Sequence, residues 1–184
     1  MIITHHRENL LNSIIYFAHN TKYCGKTKLM KLLFFLDFLH FKQTGKTVTG
    51  LNYFAWERGP VPKDLFEEFE TMKPDLRSAI KIDRIGEFQK IVSKKRFEGK
   101  HFSDTEKEIL GKIAFIFKEA KTEEMVEISH LKNEPWHKTL REKGPFQHID
   151  YMLAIDNMKD SLSYTEARDR AEEIAEMHRI FGTK

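Results

Sequence analysis

The sequence predicts a mainly α fold of the α+β class: a single-domain helical bundle around a buried central helix, with a small β-hairpin. Three observations lead there. Residues 27–43 are apolar almost all the way round a helical wheel, so that helix must be covered on several sides. Ser103 and Ser163 each stand three residues before a glutamate at the head of an amphipathic stretch, the pattern of a capping box. β-branched and aromatic residues flank Gly86 on both sides and read as two short strands. A chain of 184 residues falls within the usual span of one domain, so 1–184 is expected to fold as one unit without staples.

Taken in order, Arg7 to Asn20 places Leu10, Leu11, Ile14, Ile15, Phe17 and Ala18 at helical spacing. A turn over Lys22 to Gly25 leads into the central helix, Thr27 to Gln43, which Gly45 is placed to cap. Thr47 to Trp56 is rich in Val, Thr, Tyr and Phe and is expected to be extended. Glu57 to Pro62 reads as a stiff turn, with Pro62 in the first turn of a helix that carries Leu65, Phe66 and Phe69 on one face. Residues 71–103 are expected to be irregular apart from the hairpin around Gly86. Helices then start at the Ser103 capping box, at Thr122 as a cap, near Pro135 with Asn133 as its cap, and at the Ser163 box. The last helix shows a narrow stripe of Ala167, Ala171, Ile174, Ala175 and His178 or Phe181 on a charged rod, so it docks by one edge.

Composition removes several function classes. Apolar residues make up 40% and charged residues 32%, which is neither the balance of a disordered chain nor that of a membrane protein. The longest apolar run, Leu32 to Leu36, is far too short to span a bilayer. With 31 basic against 28 acidic side chains, no strong field points at nucleic acid or a lipid surface. Cys24 is the lone cysteine, so no internal disulfide forms, and the first residues lack the blocks of a signal peptide; a cytoplasmic location is expected.

Two stretches stand out. In Trp56-Glu57-Arg58-Gly59-Pro60-Val61-Pro62 the prolines fix their own φ and bias the residues before them towards extended backbone, so the stretch holds Trp56 in one place. It reads as a structural corner pinning the strand to the central helix, or as a corner that also forms part of a binding surface. In Ser129-His130-Leu131-Lys132-Asn133-Glu134-Pro135-Trp136 one helix ends and another begins, with Pro135 in its first turn and Trp136 facing inward. His130 reads as a core histidine that fastens the loop, or as a polar contact for a partner.

These stretches, together with Lys28-Leu29-Met30-Lys31-Leu32-Leu33-Phe34-Phe35, resemble the Panacea domain of SocA-like antitoxins in motif and in order, over roughly residues 8–140. The resemblance implies a protein that neutralises a cognate protein toxin by direct binding and, for one branch, delivers it to an ATP-dependent protease. It transfers no catalytic residue, and no cofactor or metal is expected. Some relatives carry a further DNA-binding domain, for which this chain is expected to have no room. Partner contacts are expected at Trp56, Arg58, Gly59, Pro60, Pro62, Phe66, His130, Pro135 and Trp136, because aromatic and arginine anchors carry most of the energy of protein interfaces.

Other chemistry is only weakly signalled. Asp37-x-x-His40 and Glu127-x-x-His130 are half-motifs of a carboxylate-bridged di-metal site, yet the first and last helices supply no inward carboxylate to complete one. Gly25-Lys26-Thr27 lacks the earlier glycine of a phosphate loop. Cys24 lies beside a lysine, which favours the thiolate, but no partner base is identifiable. Lys26, Lys28 and Lys31, and the run Lys94-Lys95-Arg96, read as solvated surface, the latter leaving a nucleic-acid-binding regulator as the alternative function.

Overall fold

The computed structural model describes residues 4–131, 134–156 and 158–181. The expected cap Asn133 and the side chains of His178 and Phe181 lie outside the described part. Among the described residues, helices α1 (His6–Asn20), α2 (Lys26–Thr44), α3 (Lys63–Thr71), α4 (Pro74–Ala79), α5 (Asp104–Ile116), α6 (Thr122–Ser129), α7 (Pro135–Lys143) and α8 (Tyr164–Phe181) surround two antiparallel strand pairs. These pairs are β1 (Tyr53–Trp56) with β2 (Gly59–Pro62), and β3 (Ile80–Ile85) with β4 (Phe88–Ser93).

The all-round apolar helix is the hub. α2 packs against α1, α5, α6, β2 and the short 3-10 helix at Tyr151–Ala154, and Leu29, Leu32, Leu33 and Leu36 are fully buried. Its end is set by Gly45, which takes the left-handed conformation at φ 73° while its N–H reaches the Phe41 carbonyl at 2.7 Å. The lone polar side chain on the second half of this hub to be fully buried is Asp37. It accepts from the Val48 N–H at 2.9 Å, the Thr49 N–H at 2.8 Å, the Tyr53 hydroxyl at 2.8 Å and the Thr49 hydroxyl. Residues 47–52 therefore wrap around a carboxylate, and the expected extended stretch is regular only over Tyr53–Trp56.

The proline-rich segment is a strand, not merely a turn. Glu57 and Arg58 make the reversal, and β2 then pairs with β1 in the register Tyr53 to Pro62, Phe54 to Val61, Ala55 to Pro60 and Trp56 to Gly59. Two prolines are tolerated because β2 is an edge strand that needs no donor on its outer side. Pro62 ends β2 and is the N-cap residue of α3, so it does not sit in the first helical turn as expected. The other edge of β1 is taken by a distant segment: the Ala55 N–H donates to the Gln147 carbonyl at 2.9 Å, and the Phe146 N–H donates back to Ala55 at 2.8 Å.

Both serine capping boxes form. Ser103 Oγ accepts from the Glu106 N–H at 3.2 Å, and Ser163 Oγ accepts from the Glu166 N–H at 3.2 Å. At α6 the cap is one residue earlier than expected: the Lys121 N–H donates to the Glu124 carboxylate at 2.7 Å and Thr122 is already helical. The hairpin turns at Gly86 as the sequence indicates, but α4 interrupts the segment expected to be irregular. Six residues are too few to display a helical period, although Pro74 in its first turn is a usual start.

Candidate functional site

The two stretches that stand out in the sequence and the Lys28–Phe35 stretch of α2 meet at one place. α2 brings up Lys28 and Lys31, one turn apart, and both are buried rather than solvated as expected. Lys28 Nζ donates to the carbonyls of Lys22 at 2.7 Å, Phe117 at 2.8 Å and Ala120 at 2.5 Å, so all three of its donors are used. It gathers the chain leaving α5 onto the start of α2. Lys31 Nζ has a single hydrogen bond, to the Pro60 carbonyl of β2 at 2.8 Å, and no acidic partner among the described residues. Burial alone pushes its pKa down to about 7.

Gly59 lies directly over this ammonium. Its φ is 101°, and a Cβ there would stand 2.8 Å from both Lys31 Nζ and Ser129 Oγ. The glycine thus admits a close three-way approach of β2, α2 and the end of α6. The link to α7 is a hydrogen bond from the Trp136 indole to the Trp56 carbonyl, 2.9 Å. The His130 ring lies flat on the Trp136 indole, centroids 3.8 Å apart and planes 8° apart. Burial first, then the Lys31 charge, push the His130 pKa down, opposed by a hydrogen bond to the Arg58 backbone. These contacts tie the His130 loop to α7 and to the Arg58 backbone, while its Nε2 is buried without a hydrogen-bond partner among the described residues.

The outer side of this junction is a groove of about 370 Å³, lined by Met30, Lys31, Trp56, Arg58, Phe66 and Phe146, among others. Trp56 contacts Phe66 at 5.1 Å and Phe146 at 6.1 Å between ring centroids. Lys26 Nζ sits 3.5 Å above the Phe66 ring and pairs with Glu70 at 2.6 Å. Phe146 is 57% exposed and has a φ of 61°, an uncommon conformation for an aromatic residue. Of the residues expected to meet a partner, Trp56, Arg58 and Phe66 line this groove, while Gly59, Pro60, Pro62, Pro135 and Trp136 are buried. The latter are packed into the hairpin and the start of α7, and Pro135 lines a second cavity.

Phe146, Lys31 and Ser129 were not legible as site residues. Phe146 lies ninety residues from Trp56 in the chain, and only the pairing of its segment with β1 brings it back. Lys28 and Lys31 did carry a signal: two lysines inside a helix that is apolar all round cannot both reach water.

A second cavity, about 440 Å³, runs along α2 between α5 and α6 and is lined by Phe34, Phe35, Phe38, Ile113, Phe117 and Ile128, among others. At its mouth Lys42 pairs with Asp156 at 2.5 Å, and Lys138 donates to the Leu153 carbonyl at 3.1 Å. The weaker chemical signals are absorbed by the fold. Both oxygens of Asp37 are occupied, His40 Nδ1 bonds to the Lys46 carbonyl at 2.6 Å, and no three metal-binding side chains cluster among the described residues. Cys24 is fully buried, and burial pushes its thiol up to about 11, the reverse of the shift a basic neighbour was expected to cause. Lys94, Lys95 and Arg96 are exposed at the end of β4. No described helix is long and apolar enough to cross a membrane.

A family model described as "Antitoxin SocA-like, Panacea domain" matches residues 29–137, more than half of the chain and, but for Lys28, all three of the converging segments. No curated protein and no solved structure matches it.

Proposed function

The chain belongs to the SocA-like antitoxin, Panacea-domain family, and from that premise we propose that it neutralises a cognate protein toxin in the cytoplasm by direct binding at the Trp56 groove. The observation that carries this reading is a groove lined by the half-buried Trp56 and Phe66 and the exposed Phe146 and Arg58, gathered around a hairpin that is fixed from below by buried bonds. Anchors of these types in a preformed setting dominate binding energy, because little is lost in ordering them. The protein acts as a binding partner and catalyses no reaction.

The test is co-expression with a toxic open reading frame neighbouring its gene, whose lethality the native chain should relieve. Trp56→Ala, Phe66→Ala and Arg58→Glu should each abolish growth rescue and co-purification while the circular dichroism spectrum stays unchanged. Unaltered rescue by all three folded variants would remove the groove from the interface. The toxin's half-life distinguishes blocking from delivery to an ATP-dependent protease: it is unchanged on binding in the first case and shortened, with dependence on the protease, in the second.

A further inference from the structure

In the hairpin around Gly86, β4 is held on both sides and β3 on one. The far side of β4 is tied to the turn before α2, where the Ile91 N–H donates to the Cys24 carbonyl at 2.8 Å. That bond fixes the phase of the hairpin. Opposite residues of an antiparallel pair alternate between exchanging hydrogen bonds and turning them outwards. Ile91 turns its N–H away from β3, and it stands opposite Ile82. The backbone groups of Lys81, Asp83 and Ile85 therefore point at β4, and those of Ile80, Ile82 and Arg84 point out from the open edge. The bond from the Lys94 N–H to the Ala79 carbonyl, 2.8 Å, lies three pairs further along and has the same phase. The Ile80 N–H is already used, donating to the Leu76 carbonyl at the end of α4. Among the described residues nothing bonds to the other edge groups. The side chains there are sorted by face: Ile80 and Ile82 continue the side on which Ile91 is buried, Ile82 being 37% exposed. Lys81 and Asp83 share the outer side, 3.0 Å apart and half-exposed.

We propose that β3 pairs with β3 of a second copy of this chain, antiparallel about a two-fold axis at Ile82, joining two two-stranded sheets into one. Ile82 exchanges both backbone hydrogen bonds with its counterpart, and each Arg84 N–H donates to the Ile80 carbonyl of the other copy, so the spent Ile80 N–H is not needed. Lys81 then faces Asp83 of the other copy, twice by symmetry, on the outer side, and the two Ile82 side chains meet on the inner side. The order of charges selects this axis. A two-fold at Lys81, Asp83 or Arg84 sets each of those charges against itself, one at Ile85 sets Asp83 against Glu87, and one at Ile80 has no N–H to give. Charged edges guard strands against indiscriminate pairing, and here they leave one register open. A strand of six residues buries less than the roughly 1,200 Å² of a permanent interface, so the dimer is weak and depends on concentration.

Sedimentation equilibrium of the native chain, from micromolar concentration up to about 1 mM, should show monomer and dimer in exchange. Lys81→Glu and Asp83→Lys each set like charges opposite each other twice, and each should weaken dimerisation by ~10-fold or more. An equimolar mixture of these two variants restores opposite charges at both places and should associate within about threefold of the native chain. Ile82→Pro removes the central donor, which the hairpin itself does not use, and should abolish the dimer while the circular dichroism spectrum stays unchanged. A native chain that is monomeric throughout, a dimer that survives folded Ile82→Pro, or charge variants that dimerise as tightly as the native chain overturns the proposal. So does a mixture that associates no better than its components, and this comparison decides the matter if Ile82→Pro fails to fold. None of these residues lines the Trp56 groove, so the outcome is independent of toxin rescue there.

Discussion

Replacing Gly59 by alanine tests whether β2, α2 and α6 meet as described. The backbone there has a φ of 101°, in the region where an L side chain crowds its own carbonyl, at a cost of about 1–2 kcal/mol. The new methyl group would also lie 2.8 Å from Lys31 Nζ, 2.8 Å from Ser129 Oγ and 2.9 Å from Lys31 Cε. Neither neighbour is free to swing aside: Lys31 is held by Pro60 at 2.8 Å, and Ser129 donates to the Val126 carbonyl at 2.9 Å. Forcing them apart adds about 1–3 kcal/mol of overpacking, for a total of roughly 2–5 kcal/mol. In a chain of this size that corresponds to a fall in Tm of roughly 4–20 °C. Gly86→Ala is the control, because Gly86 also has a positive φ, 61°, but nothing within 4 Å of the added carbon. It should lose only the backbone part, about 1–2 kcal/mol. Urea unfolding followed by far-ultraviolet circular dichroism measures both. If Gly59→Ala costs no more than Gly86→Ala, the three segments do not converge on Gly59.

Asp37→Ala strands the Val48 and Thr49 N–H groups in the core and should cost about 3–5 kcal/mol in the same assay. Asp37→Asn should cost under about 1.5 kcal/mol, since its oxygen still accepts from both N–H groups and the Thr49 and Tyr53 hydroxyls turn to accept from its amide. Lys28→Met leaves three carbonyls without their donor and should lose several kcal/mol, on the order of 3–5, whereas Lys31→Met should be neutral or stabilising at neutral pH. The folded pKa of Lys31, about 7, lies below the ordinary 10.5, so between those values the unfolded chain holds more protons and stability rises with pH. Stability against pH should therefore climb by up to about 5 kcal/mol more in the native chain than in Lys31→Met across that window, and parallel curves would refute it. Trp136→Phe removes the bond to the Trp56 carbonyl and should cost about 1–2 kcal/mol, with a shift in the emission of Trp56, the one tryptophan left.

Elements whose cause is local were legible. The capping boxes at Ser103 and Ser163, the αL cap at Gly45 and the hairpin at Gly86 depend on residues within a few positions of each other, and they form where the sequence places them. α4 was missed because a single helical turn and a half carries no periodic signal. The candidate site was half legible. Trp56, Arg58 and Phe66 line the groove, whereas Gly59, Pro60, Pro62, Pro135 and Trp136 from the same list are buried. Sequence marks a residue as constrained without saying whether it faces a partner or supports one that does.

The amino-acid sequence by itself determined the family, the helical frame and the identity of the apolar hub, because covalent proximity and periodicity decide those. Only the tertiary structure decided that Lys28 finds three carbonyls and Lys31 one, and that Phe146 comes back beside Trp56. The physical reason is that burial and hydrogen-bond supply are set by segments far apart in the chain, so two lysines one turn apart can share a motif and differ in what they have left to bind.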